Sequence, residues 1–402
     1  MNSVLKGMLI RIRITSISFV NELKAIFSDG GALLILFGAA LIYPVAYSIA
    51  YKNNVLREIP IAVVDLDKTT TSRQLSNMFD ATEQLQVAYK PSSLRAAQVL
   101  FWDGKVKGVI LIDDNLEQSV VKGQSANVSV YCDASYFLLY KSTLSATLSA
   151  SSTFSAGIQI RRYMAGGSSM EQAISQYNPL QAKYYTLYNP SGSYGSYVMP
   201  GILIIILQQT LLIGIGMISG ASREKKTHFV MPGLHFKGGG FSTIIGKSLA
   251  YFLVMLITST FALVWIYNWF GFPSKCNYFE VFALIVPFAF ATIFLGLAIS
   301  FLFHKREQSI MFLVFLSPIV LFLSGISWPA ESMPVGVQHL ASIIPSTHMM
   351  PAYLRVRTMG VGLANVRTEM FALYLQAFIY LILAVGLYKI MKVRQTKVMA
   401  NG

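Results

Sequence analysis

The chain has 402 residues, of which 54% are hydrophobic and 12% charged, with a formal net charge of +14. Soluble domains carry about 25% charged residues, so this composition excludes an ordinary soluble globular protein. The positive excess lies in short loops between long apolar runs, which makes it a topology signal and excludes nucleic acid as the partner.

Residues 1–29 mix apolar and charged side chains. "FVNELKAIF" places Phe19, Val20, Leu23, Ile26 and Phe27 at helical spacing, while an Arg-Ile-Arg-Ile alternation interrupts the stripe upstream. The expectation is an amphipathic helix lying on the inner membrane surface, with a disordered basic tail as the alternative. A bilayer crossing needs about 20 apolar residues. Six runs meet that length, at 30–51, 197–219, 248–270, 281–303, 308–328 and 370–388. The first lies about thirty residues in and lacks an A-x-A cleavage site, so it reads as a retained anchor.

Between the first two runs, residues 52–196 change character. "IPIAVVDLD" (59–67), "QLQVAYK" (84–90), "VKGVILID" (106–113) and "ANVSVYCD" (126–133) read as strands. Helical patterns fall between them, with Thr69 or Thr70 as a cap and Gly104 as a stop. The Ser- and Thr-rich stretch 142–160 belongs to a long soluble helix at roughly 136–165. Alternating strands and helices give an α/β domain large enough to bury its own core. The expected fold class is an α-helical polytopic membrane protein with six transmembrane helices and an inserted α/β extracytoplasmic domain.

Residues 197–391 hold the remaining five spans, with a cytoplasmic loop at 220–247 and a Pro-rich external segment at 328–368. Within that segment, Pro334, Pro345 and Pro351 break any spanning helix. Exposed backbone cannot face lipid, so the segment is expected at the interface or packed on protein. Residues 392–402 form a cytoplasmic tail. Lys6, Arg11, Arg13 and Lys24, the 223–247 loop, Lys305 and Arg306, and the tail all carry excess positive charge. This places both termini inside and residues 52–196 outside. Cys132 and Cys276 then both lie outside, where a disulfide is compatible with an oxidising compartment. Nothing in the sequence brings them together, and they read as two unrelated buried thiols.

Two motifs imitate phosphate chemistry. "GGGFSTIIGKS" (238–248) resembles a P-loop, but five residues rather than four separate Gly240 from Gly246, and an uncharged membrane run follows. It reads as a flexible basic turn at the start of a span. "VVDLDKT" (63–69) fits the D-x-D-x-T of haloacid-dehalogenase-type phosphatases, with a later acidic pair in "VILIDD" (109–114). About 45 residues between the acids leave no room for that fold's other elements, so Asp65 and Asp67 read as solvated acids at a strand end. Within the spans themselves, Gln208 and Gln209 stand out as polar residues that could line a substrate path. Hydrogen bonding between helices is an equal reading. The runs hold no Asp, Glu, Lys or Arg, which argues against an ion-coupled carrier and for an apolar or amphipathic substrate.

Three segments together resemble the permease subunit of a type-2 ABC exporter, from the branch with a large extracytoplasmic domain between spans one and two. "IAVVDLDKTTTSRQLSNMFDA" (61–81) is similar to the opening of that external domain. "ASREKKTHFVMPGLHF" (221–236) looks like the family's Arg-Glu-Lys-Gly-Thr-Glu segment, with departures at Lys226, His228 and Phe229. "SGISWPAESMPVGVQHLASIIPSTHMMPAYLRV" (324–356) resembles its Pro-punctuated external segment. The resemblance implies a non-enzymatic transport subunit in a bacterial inner membrane, paired with a second permease subunit, the same chain or a homologous one. It implies a separate cytoplasmic ATP-binding subunit, which would hold ATP and Mg; no cofactor is expected on this chain. It also implies an ATPase-coupling contact at Arg223, Glu224, Lys225, Lys226 and Thr227. By the same analogy the external domain could dock a periplasmic adaptor protein. Drugs, lipids, polyketides and small peptides all remain open as cargo. The alternative is a non-transporting membrane protein whose external α/β domain binds a ligand or partner.

Overall fold

A computed structural model describes residues 2–51, 56–180, 182–183, 185–190, 192–225 and 239–400. The chain begins with α1 (Asn2–Ser28) and α2 (Gly30–Ala50). An inserted unit follows as β1 (Ile59–Asp65), α3 (Thr70–Asp80), β2 (Leu85–Tyr89), α4 (Leu94–Trp102), β3 (Gly108–Ile112), α5 (Leu116–Lys122), β4 (Val128–Cys132), α6 (Phe137–Ala165) and α7 (Met170–Tyr177). The chain then continues through α8 (Tyr194–Glu224), α9 (Gly239–Phe270), α10 (Tyr278–Ser300) and α11 (Arg306–Leu323). It ends with α12 (Val335–Ala341), α13 (Pro345–Leu354) and α14 (Arg367–Ala400). Among the described residues, six helices are long and apolar enough to cross a membrane: α2, α8, α9, α10, α11 and the 363–391 stretch that includes most of α14. Both cysteines are free.

The inserted unit is a four-stranded sheet in the order β2-β1-β3-β4, parallel except for β4. Its two faces follow from the two-residue period of β1. Ile59, Ile61 and Val63 point to one side, where they pack with Leu75 and Phe79 of α3 and Ala146 and Ala150 of α6. Ala62 and Val64 point to the other, against Ala97 of α4. Local chemistry fixes the helix ends. Thr69 and Ser72 form a reciprocal capping box on α3. Gly104, at φ +71°, turns the chain out of α4.

In the helical unit, α8 is the interior element: 94% of its most apolar stretch is buried. It packs against α2, α10, α11 and α13. Missing side chains let the neighbours in. A Cβ on Gly201 would sit 1.7 Å from Ile326, one on Gly214 2.4 Å from Leu36, and one on Gly220 2.9 Å from the Lys305 carbonyl oxygen. The Pro-rich segment folds as α12 and α13 and packs on protein, with Met349, Ala352, Tyr353 and Val356 all fully buried.

Two expectations change here. Within the "GGGFSTIIGKS" stretch, Gly238 lies outside the described residues and residues 239–248 are no turn, since α9 is already helical from Gly239. Its glycines serve packing: a Cβ on Gly246 would lie 2.4 Å from the Thr15 carbonyl oxygen and 2.6 Å from Ser18 Cβ. Helix α1 therefore crosses α9 at backbone contact. That crossing also rotates the expected stripe of α1. Ile14, Ser18, Glu22 and Ile26 form its buried row, while Val20 and Phe27 face outward. The Arg-Ile-Arg-Ile alternation does not interrupt the helix.

Gly246→Val is expected to destabilise the protein by about 1–3 kcal/mol through overpacking at this crossing. Gly386→Ala, where nothing lies within 4 Å of the added carbon, is expected to be neutral or slightly stabilising. Melting temperatures of the full chain in detergent check both.

Candidate coupling site

One end of the helical unit gathers charged residues from α1, α2, α8, α9 and α11. Gly220 admits the Lys305–Arg306 backbone, and Arg223, about one turn further along α8, reaches over the end of α10. Its Nη1 donates to the carbonyls of Ser300 and Phe303, and its guanidinium lies 5.0 Å from the Phe301 ring centre. A cation here meets carbonyls at the C-terminal end of α10, where the Ser300 oxygen also accepts the Phe303 N–H, and it opposes the negative end of the α10 dipole.

Two carboxylates pin the neighbouring helices. Asp29 accepts the N–H groups of Gly31 and Ala32, capping α2. The same carboxylate meets Arg306 through two contacts, 2.9 and 3.0 Å, which ties the start of α2 to the start of α11. Fork-to-fork pairing of this kind fixes orientation as well as distance. Glu22 is 4% exposed on α1. It pairs with Lys247 of α9 at 2.7 Å and accepts the Tyr251 hydroxyl at 2.8 Å.

The expected coupling residues therefore divide. Arg223 is partly buried and spent on α10, whereas Glu224 and Lys225 are exposed at the tip of α8. Lys226 and Thr227 lie outside the described residues. The sequence alone missed Glu22, Asp29, Lys247 and Arg306 as structural contacts. In the sequence Lys247 and Arg306 read only as topology, and Glu22 and Asp29 carry no local sign of a partner.

Gln208 lies fifteen residues before Arg223, about 22 Å along the helix. It is fully buried, and its Oε1 accepts the backbone N–H of Ser346 at 2.8 Å, capping the first turn of α13. Gln209 is 7% exposed, and neither of its amide atoms has a partner. In the inserted unit, Asp65 accepts the Ser72 hydroxyl at 2.8 Å and the Lys68 N–H at 2.9 Å. Asp67 accepts the Glu117 N–H at 3.1 Å and the Thr69 hydroxyl. These two acids are bonded into the loops that start α3 and α5, a more committed role than the solvated strand end expected of them.

A six-span helical unit with an inserted α/β domain defines a polytopic membrane protein. The profile of the family described as "ABC-2 family transporter protein" matches residues 31–385, and the chain belongs to that family. As a member it is a membrane-spanning transport permease subunit. It is similar to the inner membrane transport permease YhhJ of Escherichia coli K12, 23% identical over 85% of this chain and 88% of that one. It is 28% identical to the probable multidrug ABC transporter permease YbhR of the same strain, over 40% of this chain and 43% of that one. It is 27% identical to the ABC transporter G family member 20 of Dictyostelium discoideum over 48% of this chain. The match spans only 26% of that larger protein.

Breaking one side of the Glu22–Lys247 pair is expected to cost about 3–5 kcal/mol, because it strands a buried charge. Lys247→Met and Glu22→Gln are each expected to lower the melting temperature, and the double variant to recover much of the loss. A double-mutant cycle on the full chain in detergent measures this.

Proposed function

We propose that this chain is the membrane-spanning part of an ATP-driven exporter in a bacterial inner membrane. A separate cytoplasmic ATPase supplies the energy, and the cargo is apolar or amphipathic. The functional unit contains two permease subunits, with ATP and Mg held on the ATPase. Both termini and the connection between α8 and α9 lie inside, with the inserted domain outside. The basic residues support this orientation: Arg11, Arg13, Lys24, Lys247, Lys305 and Arg306 lie on segments that meet at the charged end of the bundle.

The observation that carries the coupling role is α8. It is one continuous, largely buried helix whose exposed end bears Glu224 and Lys225 and whose middle holds α13 through Gln208. A helix this well packed moves as a rod, so force applied at its tip reaches the middle of the membrane unit. Arg223 would carry the same motion to α10, and Asp29 with Arg306 would carry it between α2 and α11. Glu224, Lys225, Lys226 and Thr227 are the proposed contact with the ATPase, and Gln209 is the proposed path-facing member of its pair. The relatives' printed names, a transport permease and a probable multidrug permease, support an export reading.

The test is purification of the full chain in mild detergent, identification of a co-eluting ATPase, and reconstitution with an amphipathic fluorescent dye as cargo. Glu224→Lys is expected to lower dye-stimulated ATP hydrolysis about fivefold, as the loss of about 1 kcal/mol of interface charge pairing would. Its melting temperature is expected to stay unchanged. Full coupling in this variant, or dye movement by the chain alone, counts against the proposal.

A further inference from the structure

The opposite end of the helical unit holds a cation with no counter-charge. Arg357 follows α13 and is fully buried. All 18 acidic residues of the chain lie among the described residues, and none pairs with it. Two carboxylates at this end have other partners: Glu369 pairs with Arg355 through Oε1, its Oε2 remaining unpartnered, and Glu280 accepts the Asn277 N–H. What surrounds Arg357 is aromatic and neutral. Its guanidinium stacks 3.7 Å from the Tyr267 ring centre and lies 5.9 Å from that of Tyr278. One nitrogen, Nη1, reaches Cys276 Sγ at 3.4 Å.

The remaining donors are unused. Arg357 Nε and Nη2 have no hydrogen-bond partner within 3.5 Å, and neither do the buried hydroxyls of Tyr267 and Tyr353, which lie close enough to interact with each other and, for Tyr267, with the guanidinium. Cation–π stacking stabilises a guanidinium by about 2 kcal/mol when desolvated. Burying an uncompensated ion costs more than that, and each orphaned donor adds to the cost. Two free guanidinium donors beside two loosely paired phenols have a common solution, an oxyanion that accepts from all of them. Arginine presents two parallel N–H groups to such a group, which suits carboxylate and phosphate.

We infer that Arg357, Tyr267 and Tyr353 form a binding site for an anionic oxygen group, a phosphate or carboxylate. Tyr278, 41% exposed, and the partly exposed Cys276 mark the side from which it is reached. The site stands apart from the coupling end, and its occupancy does not depend on transport. The anion comes either free or as the head group of an amphiphile, and binding experiments separate the two.

The full chain, purified in uncharged maltoside detergent, is titrated with inorganic phosphate and with dodecyl phosphate, using sodium chloride at matched ionic strength as the control. Melting temperature is the readout. Wild type is expected to be stabilised by at least one of the two. A shift with inorganic phosphate assigns a free anion, and a shift with dodecyl phosphate alone assigns an acidic amphiphile. Tyr353→Phe keeps the ring and removes one donor, and Arg357→Lys keeps the charge and removes the paired N–H geometry. Each is expected to weaken the apparent affinity about tenfold. Protection supplies a second measurement: in a Cys132→Ser background, the stabilising anion is expected to slow maleimide labelling of Cys276. No shift beyond the chloride control in wild type, or an equal shift in all three proteins, overturns the site. Neither result bears on ATPase coupling, which is read from hydrolysis.

Discussion

Inside a bilayer, backbone and polar groups must find partners within the protein, and α8 carries that constraint for the whole helical unit. Nearly all of its apolar stretch is enclosed, so its neighbours set its position and it sets theirs. The Gln208 amide shows the constraint acting on a single group. The start of α13 leaves backbone N–H groups unpaired, and a side chain from the centre of another helix supplies the acceptor. Without that bond, the Pro-punctuated segment would leave a donor stranded in protein interior. This is how a stretch with four prolines, which cannot itself span, is held among helices that do.

At the charged end the same economy operates with ions. Arg223, Arg306 and Lys247 each have a specific acceptor on another helix, so charges that flank apolar runs also fix how the helices meet. The bundle is braced at the end proposed to receive force, which is where slack would waste it. The other end has the reverse character, a buried guanidinium held by aromatic faces with donors left over. One end pairs its buried charges internally, and the other leaves a buried cation without a counter-charge.

Much of this was legible in the sequence, and the parts that were not share a cause. Apolar length alone marks six spans, and the short continuous apolar run "IPIAVVD" ending in acids marks a buried strand, because both patterns are local. Thr69 and Gly104 were readable as helix punctuation for the same reason. The start of α9 was misplaced because Lys247 looked like a solvated boundary charge, and its partner Glu22 lies 225 residues earlier. The buried row of α1 was misread because a glycine on another helix decides which face can approach. Arg223 was grouped with its exposed neighbours since nothing nearby in the chain announces the carbonyls of Ser300 and Phe303. Arg357 drew no notice because it lies outside the apolar runs, where a charge looks ordinary.

The glycines of α8 have a consequence beyond packing. At Gly201, Gly214 and Gly220 a neighbour occupies the volume where any other residue would begin, and these positions follow the helix almost from end to end. Divergence among copies of such a gene is therefore channelled. Change can accumulate freely on the outward surfaces of α11 and α14, which touch little of their own chain, while the central rod stays nearly fixed in size along its length. Relatives that share little overall identity can on this basis keep one interchangeable axle and differ in everything built around it.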